Sequence, residues 1–390
     1  MSNWIVQLDK LDPTQKEFIY DKNQNNIWIK GFAGSGKSVL LAHRINDEII
    51  KNQSLRIAIV VFTHSLIEMF RAGLQELKTP TNKIEILTYY QFSKNHTRYD
   101  FIVCDEVQDL PISIIQNMRN KTDKLILAGD ENQSIYEYDP STREPTITDF
   151  QYLNTILKDN PIQLMNNHRL TKDIVKIISK LIPSMNILSS IPNRVKHSST
   201  VRLGNAESLN DEVEYIIEEA NQAIEIDESV AILFYTQNNI IEFINRYLSL
   251  QNINPWIIVK NRYNKIDFHS LNNYLNSVNI KFEYIGNSYG NLYQAHQQGK
   301  IIFMTYHSAK GLDFDNVFLP FLNQYEYFNS YFNTTLLMVG MTRSKQNLTL
   351  SYTGQSVPEI ISSIIDDVTK IDISNQDNAE DNSDDDMFDF

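Results

Sequence analysis

Gly31-Phe32-Ala33-Gly34-Ser35-Gly36-Lys37-Ser38 constrains this chain more than any other eight residues. The apolar run Ile27-Trp28-Ile29 precedes it and Val39-Leu40-Leu41-Ala42 follows, so the segment reads as strand, loop and helix in succession. That is the setting a phosphate-binding P-loop requires. Its glycines let successive backbone N–H groups turn inward and form a nest for phosphate oxygens. Lys37 supplies a point charge for the β- and γ-phosphates, and Ser38 a hydroxyl for Mg²⁺.

A P-loop of this kind sits on a parallel sheet, and the flanking sequence agrees. Short β-rich runs alternate with helical periodicity, the pattern of βαβ units. Strands are predicted over 27–29, 56–62, 84–87, 101–104 and 124–127, with helices starting near Ser38 and Ser65. From about Pro161 a second series begins. Its predicted strands are 162–164, 201–203, 230–234, 300–304, 316–318 and 348–351, with helices over 171–181, 210–223, 238–250 and 331–339. The expected fold is α/β, with two P-loop NTPase-type domains in tandem, 1–155 and 156–370, and an acidic disordered tail over 371–390. One short echo joins Tyr247-Leu248 and Asn252-Ile253 to Tyr274-Leu275 and Asn279-Ile280. It reads either as a duplicated helix–strand unit or as coincidence.

At 390 residues the chain is long enough for two cores. No apolar run approaches the roughly 18 residues that span a bilayer, and Met1-Ser2-Asn3-Trp4 lacks the pattern of a secretory leader. The single cysteine, Cys104, falls in a predicted strand and reads as a small core residue. A reducing, cytoplasmic setting without membrane association is therefore expected. The net charge of −13 argues against a nucleic-acid partner only weakly. Eight acidic and no basic residues lie between Asp372 and Phe390, so the body carries about −5 and leaves room for a local basic groove.

The second strong signal is Phe101-Ile102-Val103-Cys104-Asp105-Glu106-Val107-Gln108-Asp109. A buried strand ending in adjacent carboxylates places them at the carboxyl edge of a parallel sheet, where such sheets bind ligands. Asp105 is the second candidate for holding Mg²⁺. Glu106 is the candidate general base, accepting a proton from an attacking water.

Together these segments closely resemble the UvrD/Rep/PcrA group of superfamily 1A helicases, and the resemblance runs over about residues 11–352. It implies two RecA-like domains with ATP in the cleft between them. Leu11-Asp12-Pro13-Thr14-Gln15 looks like the adenine-reading Q motif, with Gln15 on the base. Val61-Phe62-Thr63-His64 and Leu87-Thr88-Tyr89-Tyr90-Gln91-Phe92 resemble motifs that touch single-stranded nucleic acid, implicating Phe62, Thr63 and Tyr89. Ala128-Gly129-Asp130-Glu131-Asn132-Gln133-Ser134-Ile135-Tyr136 resembles the third motif, with Gln133 sensing the γ-phosphate and Tyr136 beside the strand. Asn166-Asn167-His168-Arg169-Leu170 is similar to the fourth, whose Arg169 contacts that phosphate. Thr305-Tyr306-His307-Ser308-Ala309-Lys310-Gly311-Leu312-Asp313-Phe314-Asp315 is similar to the fifth, implicating His307 for nucleic acid and Gly311 and Asp313 for nucleotide. Val339-Gly340-Met341-Thr342-Arg343-Ser344-Lys345 resembles the sixth, with Arg343 as the arginine finger. Two arginines of the second domain facing a P-loop on the first would make closure depend on the γ-phosphate.

Departures from the family pattern narrow the expectation. His168 stands where tyrosine usually stacks on adenine, and Asp313 where glutamate is usual. The family's Gly-Trp-Arg-Gly run is replaced by Glu137-Tyr138-Asp139-Pro140, leaving Tyr138 to stack on a base. Only 12 residues separate Phe92 from Asp105, where larger relatives insert a subdomain, and the interval from Phe234 to Met304 is also short. The resemblance implies an ATP- and Mg²⁺-dependent translocase or helicase on single-stranded nucleic acid, DNA in preference to RNA, moving 3′→5′, in DNA repair or anti-phage defence. The alternative is an ATP-switched subunit controlling a partner such as a nuclease or repair factor. The ending Asp384-Asp385-Asp386-Met387-Phe388-Asp389-Phe390 resembles the partner-docking tip of bacterial single-strand-binding proteins. The plainer reading is a solubilising disordered tail.

Overall fold

Runs of buried aliphatic residues make the strands. All five residues of β2 (Ile57–Val61) and all four of β4 (Phe101–Cys104) are buried, as parallel strands covered on both faces require. The computed structural model describes residues 4–20, 26–139, 142–146, 151–157, 162–185, 187–189, 191–192, 200–324 and 331–374. With β1 (Asn26–Gly31), β3 (Ile84–Thr88), β5 (Lys124–Gly129) and β6 (Ile162–Leu164), these strands form a parallel sheet in the order β3-β2-β4-β5-β1-β6. The carboxyl ends of β4, β5 and β1 therefore lie side by side. The chain leaves β1 into the P-loop, β4 into Asp105-Glu106 and β5 into Asp130 and Gln133, so three distant motifs meet at one edge.

The second sheet is also parallel. It contains β7 (Val201–Ala206), β8 (Val230–Phe234), β9 (Phe282–Tyr284), β10 (Ile301–Thr305), β11 (Phe314–Leu319), β12 (Ser344–Thr353) and β13 (Thr369–Asp372), in the order β9-β10-β8-β11-β12-β7-β13. The two α/β units are RecA-like. Cys104 is fully buried as the last residue of β4, as its strand position predicted.

Two expectations are corrected. The strand at 162–164, read as the start of the second series, pairs in parallel with β1, placing Leu164 beside Gly31. Its side chains close the open edge next to the P-loop, a long-range pairing that local periodicity cannot show. Residues 371–374, counted with the tail, also belong to the fold. Ile371 pairs with Gly204, and Ile373 packs over that glycine, where a side chain at 204 would collide with it. The rest of the tail, including the proposed docking tip at 384–390, lies outside the described residues.

The sequence echo has a local cause. Asn252 and Asn279 both adopt left-handed backbone (φ 55° and 60°) just after a helix. In each case the following isoleucine N–H reaches back to a leucine carbonyl, Ile253 to Leu248 at 2.8 Å and Ile280 to Leu275 at 2.9 Å. The repeated element is a helix stop with Asn in the left-handed position.

Candidate functional site

The P-loop leads from β1 into helix α2 (Lys37–Lys51), itself preceded by helix α1 (Pro13–Tyr20). Gly34 and Gly36 have φ of 78° and 87°, conformations that L side chains resist. Lys37 folds back across the loop and donates to the carbonyls of Gly31 (2.7 Å) and Phe32 (3.2 Å). The Ser35 hydroxyl is buried with no hydrogen-bond partner among the described residues. An anion in this nest would supply that partner and draw Lys37 away from its carbonyls. The Ser38 hydroxyl donates to the Asp105 carboxylate at 2.5 Å. A hydroxyl and a carboxylate held together form a hard-oxygen pair suited to Mg²⁺.

A cleft of about 930 Å³, open solvent included, runs from this loop to the second sheet. Ala33, Gly34, Ser35, Gly36, Lys37, Ser38, Glu106, Gln133, Arg169, Gly311, Asp313 and Arg343 all line it. Gln15, Gly31, His168 and Asp105 stand directly behind its wall. Gln15 donates to the Ser35 carbonyl at 3.3 Å and meets the His168 ring at 3.2 Å, while the His168 N–H donates to the Gly34 carbonyl. The two residues expected around adenine thus contact each other and the loop, beside the cleft.

Cations and acceptors in the cleft hold one another. Arg343 crosses from the end of the helix Tyr331–Met341 and donates to Gln133 Oε1 at 3.0 Å, with further bonds to Val339, Leu312 and Thr342. Arg169 pairs with Asp313 at 3.1 Å. The expectation that both arginines come from the second domain is corrected here. Arg169 follows β6, and Asn167 fixes its segment to the P-loop by donating to the Ala33 carbonyl at 2.9 Å. Of the two arginines, Arg343 is the one that reaches across from the second unit. A hydrogen-bonded chain connects it to Glu106: Gln133 donates to Asp130, the Asp130 N–H donates to Gln108, and Gln108 donates to Glu106.

Sequence reasoning missed Lys310 as a site residue. It is 1% exposed, and its ammonium enters the first unit to bond the Asp109 carboxylate and the Gln133 carbonyl. Glu106 lies 3.7 Å from it. Burial alone would raise the Glu106 carboxyl, but Lys310, Lys37 and Arg343 outweigh it and hold Glu106 below its ordinary value. Burial pushes Asp109 up to about 6 despite Lys310 beside it. The available signal was a lone lysine in the tight motif Ser308-Ala309-Lys310-Gly311, since a cation buried there demands a carboxylate.

The residues singled out for nucleic acid separate into two groups. Tyr89, Phe62, Tyr136 and His307 form one aromatic column with ring centres 5.2, 5.1 and 5.3 Å apart, and His307 joins it from the second unit. Thr63 instead caps helix α3 (His64–Glu76), accepting from the Leu66 N–H. Tyr138 stays outside the column, half exposed. Of the adjacent tyrosines, Tyr89 is buried and Tyr90 exposed.

A family profile for the UvrD-like helicase C-terminal domain matches residues 269–355, and one for an AAA domain matches residues 15–139. Together they cover more than half of the chain and both walls of the cleft. The chain belongs to the UvrD-like superfamily 1 helicases. Among solved structures, this UvrD-like chain is similar to the arterivirus nonstructural protein 10 helicase, at 12% identity and a TM-score of 0.46 over 90% of this chain and 63% of that one. It is also similar to that arterivirus helicase in complex with DNA, at 12% identity and a TM-score of 0.44 over 90% and 65%. The chain thus spans just under two thirds of those helicases. A search of curated proteins gave no match. No helix among the described residues is long and apolar enough to cross a membrane.

His307 gives this UvrD-like site a measurable pH signature. Burial, aided by Lys310, pushes its imidazole down to about 4 from an ordinary 6.5. Between these values the unfolded chain takes up a proton that the folded chain refuses, so stability falls as pH falls through the window. Urea unfolding at pH 7 and pH 5 is expected to show about 2 kcal/mol of acid loss that His307→Asn removes. Parallel losses in the two proteins would show that His307 is protonated freely in the fold.

Proposed function

We propose that the chain is an ATP-driven translocase on single-stranded nucleic acid, DNA in preference to RNA, in which nucleotide is bound between the two units. The observation that carries this reading is Arg343 of the second unit bonded to Gln133 of the first, across the cleft that the P-loop lines. Ser38 and Asp105 would hold Mg²⁺, which when bound neutralises phosphate charge. The γ-phosphate replaces Gln133 and Asp313 as the acceptor for Arg343 and Arg169, tying the units together, and Glu106 takes the proton of the attacking water. Hydrolysis removes the shared phosphate acceptor and the arginines return to Gln133 and Asp313, so the contacts across the cleft change with nucleotide state. His307 and Tyr136, one from each unit, then change their stacking with the nucleotide state, which couples the cleft to a strand at the aromatic column.

By family resemblance the direction of movement is 3′→5′ and the setting DNA repair or anti-phage defence. The test is ATP hydrolysis measured in parallel with single-stranded DNA, duplex DNA and RNA. Single-stranded DNA is expected to stimulate most, and Lys37→Ala to abolish hydrolysis. Equal rates with and without every nucleic acid, or normal turnover by Lys37→Ala, would contradict the proposal. A second reading, an ATP-switched regulator of a partner with little unwinding of its own, is favoured by the short loop joining the helix Tyr89–Lys94 to β4. Strand displacement assayed with and without a co-purified partner separates the two.

A further inference from the structure

A basic hairpin lies away from the nucleotide cleft. Between the helix Gln237–Leu250 and the helix Phe268–Ser277 the chain forms a hairpin over residues 257–267. The Asp267 N–H donates to the Val259 carbonyl and the Asn261 N–H to the Lys265 carbonyl, both at 2.8 Å. The Asn261 side chain fixes the turn by accepting from the N–H groups of Tyr263 and Lys265. This rigid turn carries Lys260, Arg262 and Lys265, with no acidic residue between Asn254 and Ile266, in a chain of net charge −13. None of the three cations has an ion-pair partner among the described residues, although the chain's other exposed cations are often paired. Tyr263 is 68% exposed, with the Arg262 guanidinium 4.7 Å from its ring centre, and Ile257 is 84% exposed.

Beside the hairpin lies an open groove of about 1480 Å³, open solvent included, lined by Lys260 and Lys265, by the amides of Gln237, Asn238 and Asn264, and by His64 of the first unit. No acidic side chain lines it. Amides can bond base edges in either donor or acceptor sense, and lysines suit the backbone. His64 follows Phe62 by two residues, so one short segment of the first unit contributes both to the column and to this lining.

We infer that the 257–267 hairpin is a second contact for single-stranded nucleic acid, apart from the column. Lys260, Arg262 and Lys265 hold phosphates and Tyr263 stacks on a base. The inference rests on the proposed nucleic-acid function and extends it to a surface that takes no part in hydrolysis. Its test is anisotropy of a labelled oligothymidylate over a salt series, with the wild type, a K260Q/R262Q/K265Q variant and Y263A. The triple variant is expected to bind about tenfold more weakly or worse, with the slope of log affinity against log salt shallower by about 2. Tyr263→Ala is expected to weaken binding with the slope unchanged. ATP turnover without nucleic acid and the thermal midpoint should match the wild type in both. Wild-type affinity and slope in the triple variant would overturn this inference alone. A wild type that binds no oligonucleotide at any salt would overturn the proposed function with it.

Discussion

Glu106→Gln should lower nucleic-acid-stimulated ATP turnover by about 10²–10⁴-fold, the usual weight of a positioned general base, and leave nucleotide affinity nearly unchanged. The substitution keeps the shape and the bond from Gln108 and removes only the basic oxygen. Glu106 suits the role on three counts. It lines the cleft, three cations keep it ionised, and its backbone stands in the left-handed region at φ 55°. That conformation costs a side-chain-bearing residue about 1 kcal/mol or more. Here it turns the carboxylate off the end of β4 towards the P-loop. Single-turnover kinetics with a separate measurement of nucleotide binding would check the result, and near-normal turnover would remove Glu106 from the chemistry.

Lys310→Met should destabilise the protein by about 3–5 kcal/mol, because Asp109 would be left buried without its counter-charge. Asp109 is fully buried, and among the described residues its other carboxylate oxygen accepts only the Ile135 N–H at 3.2 Å. Adding Asp109→Asn to Lys310→Met removes the orphaned charge, so the double variant should regain more than half of the loss. Denaturant midpoints of both single variants and the double variant make the cycle. A Lys310→Met loss below about 1 kcal/mol, or strictly additive losses, would show that this ion pair does not join the units. The same substitution removes a cation that holds Glu106 ionised, so the acid limb of the pH–rate profile should move to higher pH in whatever Lys310→Met protein remains folded.

What the sequence made legible follows the range of the interactions. The P-loop and the β4 carboxylates are contiguous, and their spacing alone fixes where phosphate and base must lie. The motifs supplying Gln133, Arg169 and Arg343 were recognisable by their order, and the structure brings all three to one cleft. What escaped was long-range. The pairing of β6 with β1, which moved Arg169 to the P-loop side, depends on an edge that three residues cannot announce. Lys310 and Asp109 are 201 positions apart, and neither looks buried in its own segment. β9 and β13 are short edge strands; β13 leaves most of its side chains exposed, and it is the residue after it, Ile373, that is buried over Gly204. The 257–267 hairpin carried its charges in plain view, but only the fold sets them beside His64.

Nucleotide binding by both units together is tested by a crystal structure with a non-hydrolysable ATP analogue and Mg²⁺. The expected result is a γ-phosphate that has taken Arg343 from Gln133 and Arg169 from Asp313, with Lys37 released from the carbonyls of Gly31 and Phe32. An analogue seated in the P-loop with the Arg343–Gln133 and Arg169–Asp313 pairs still closed would contradict it.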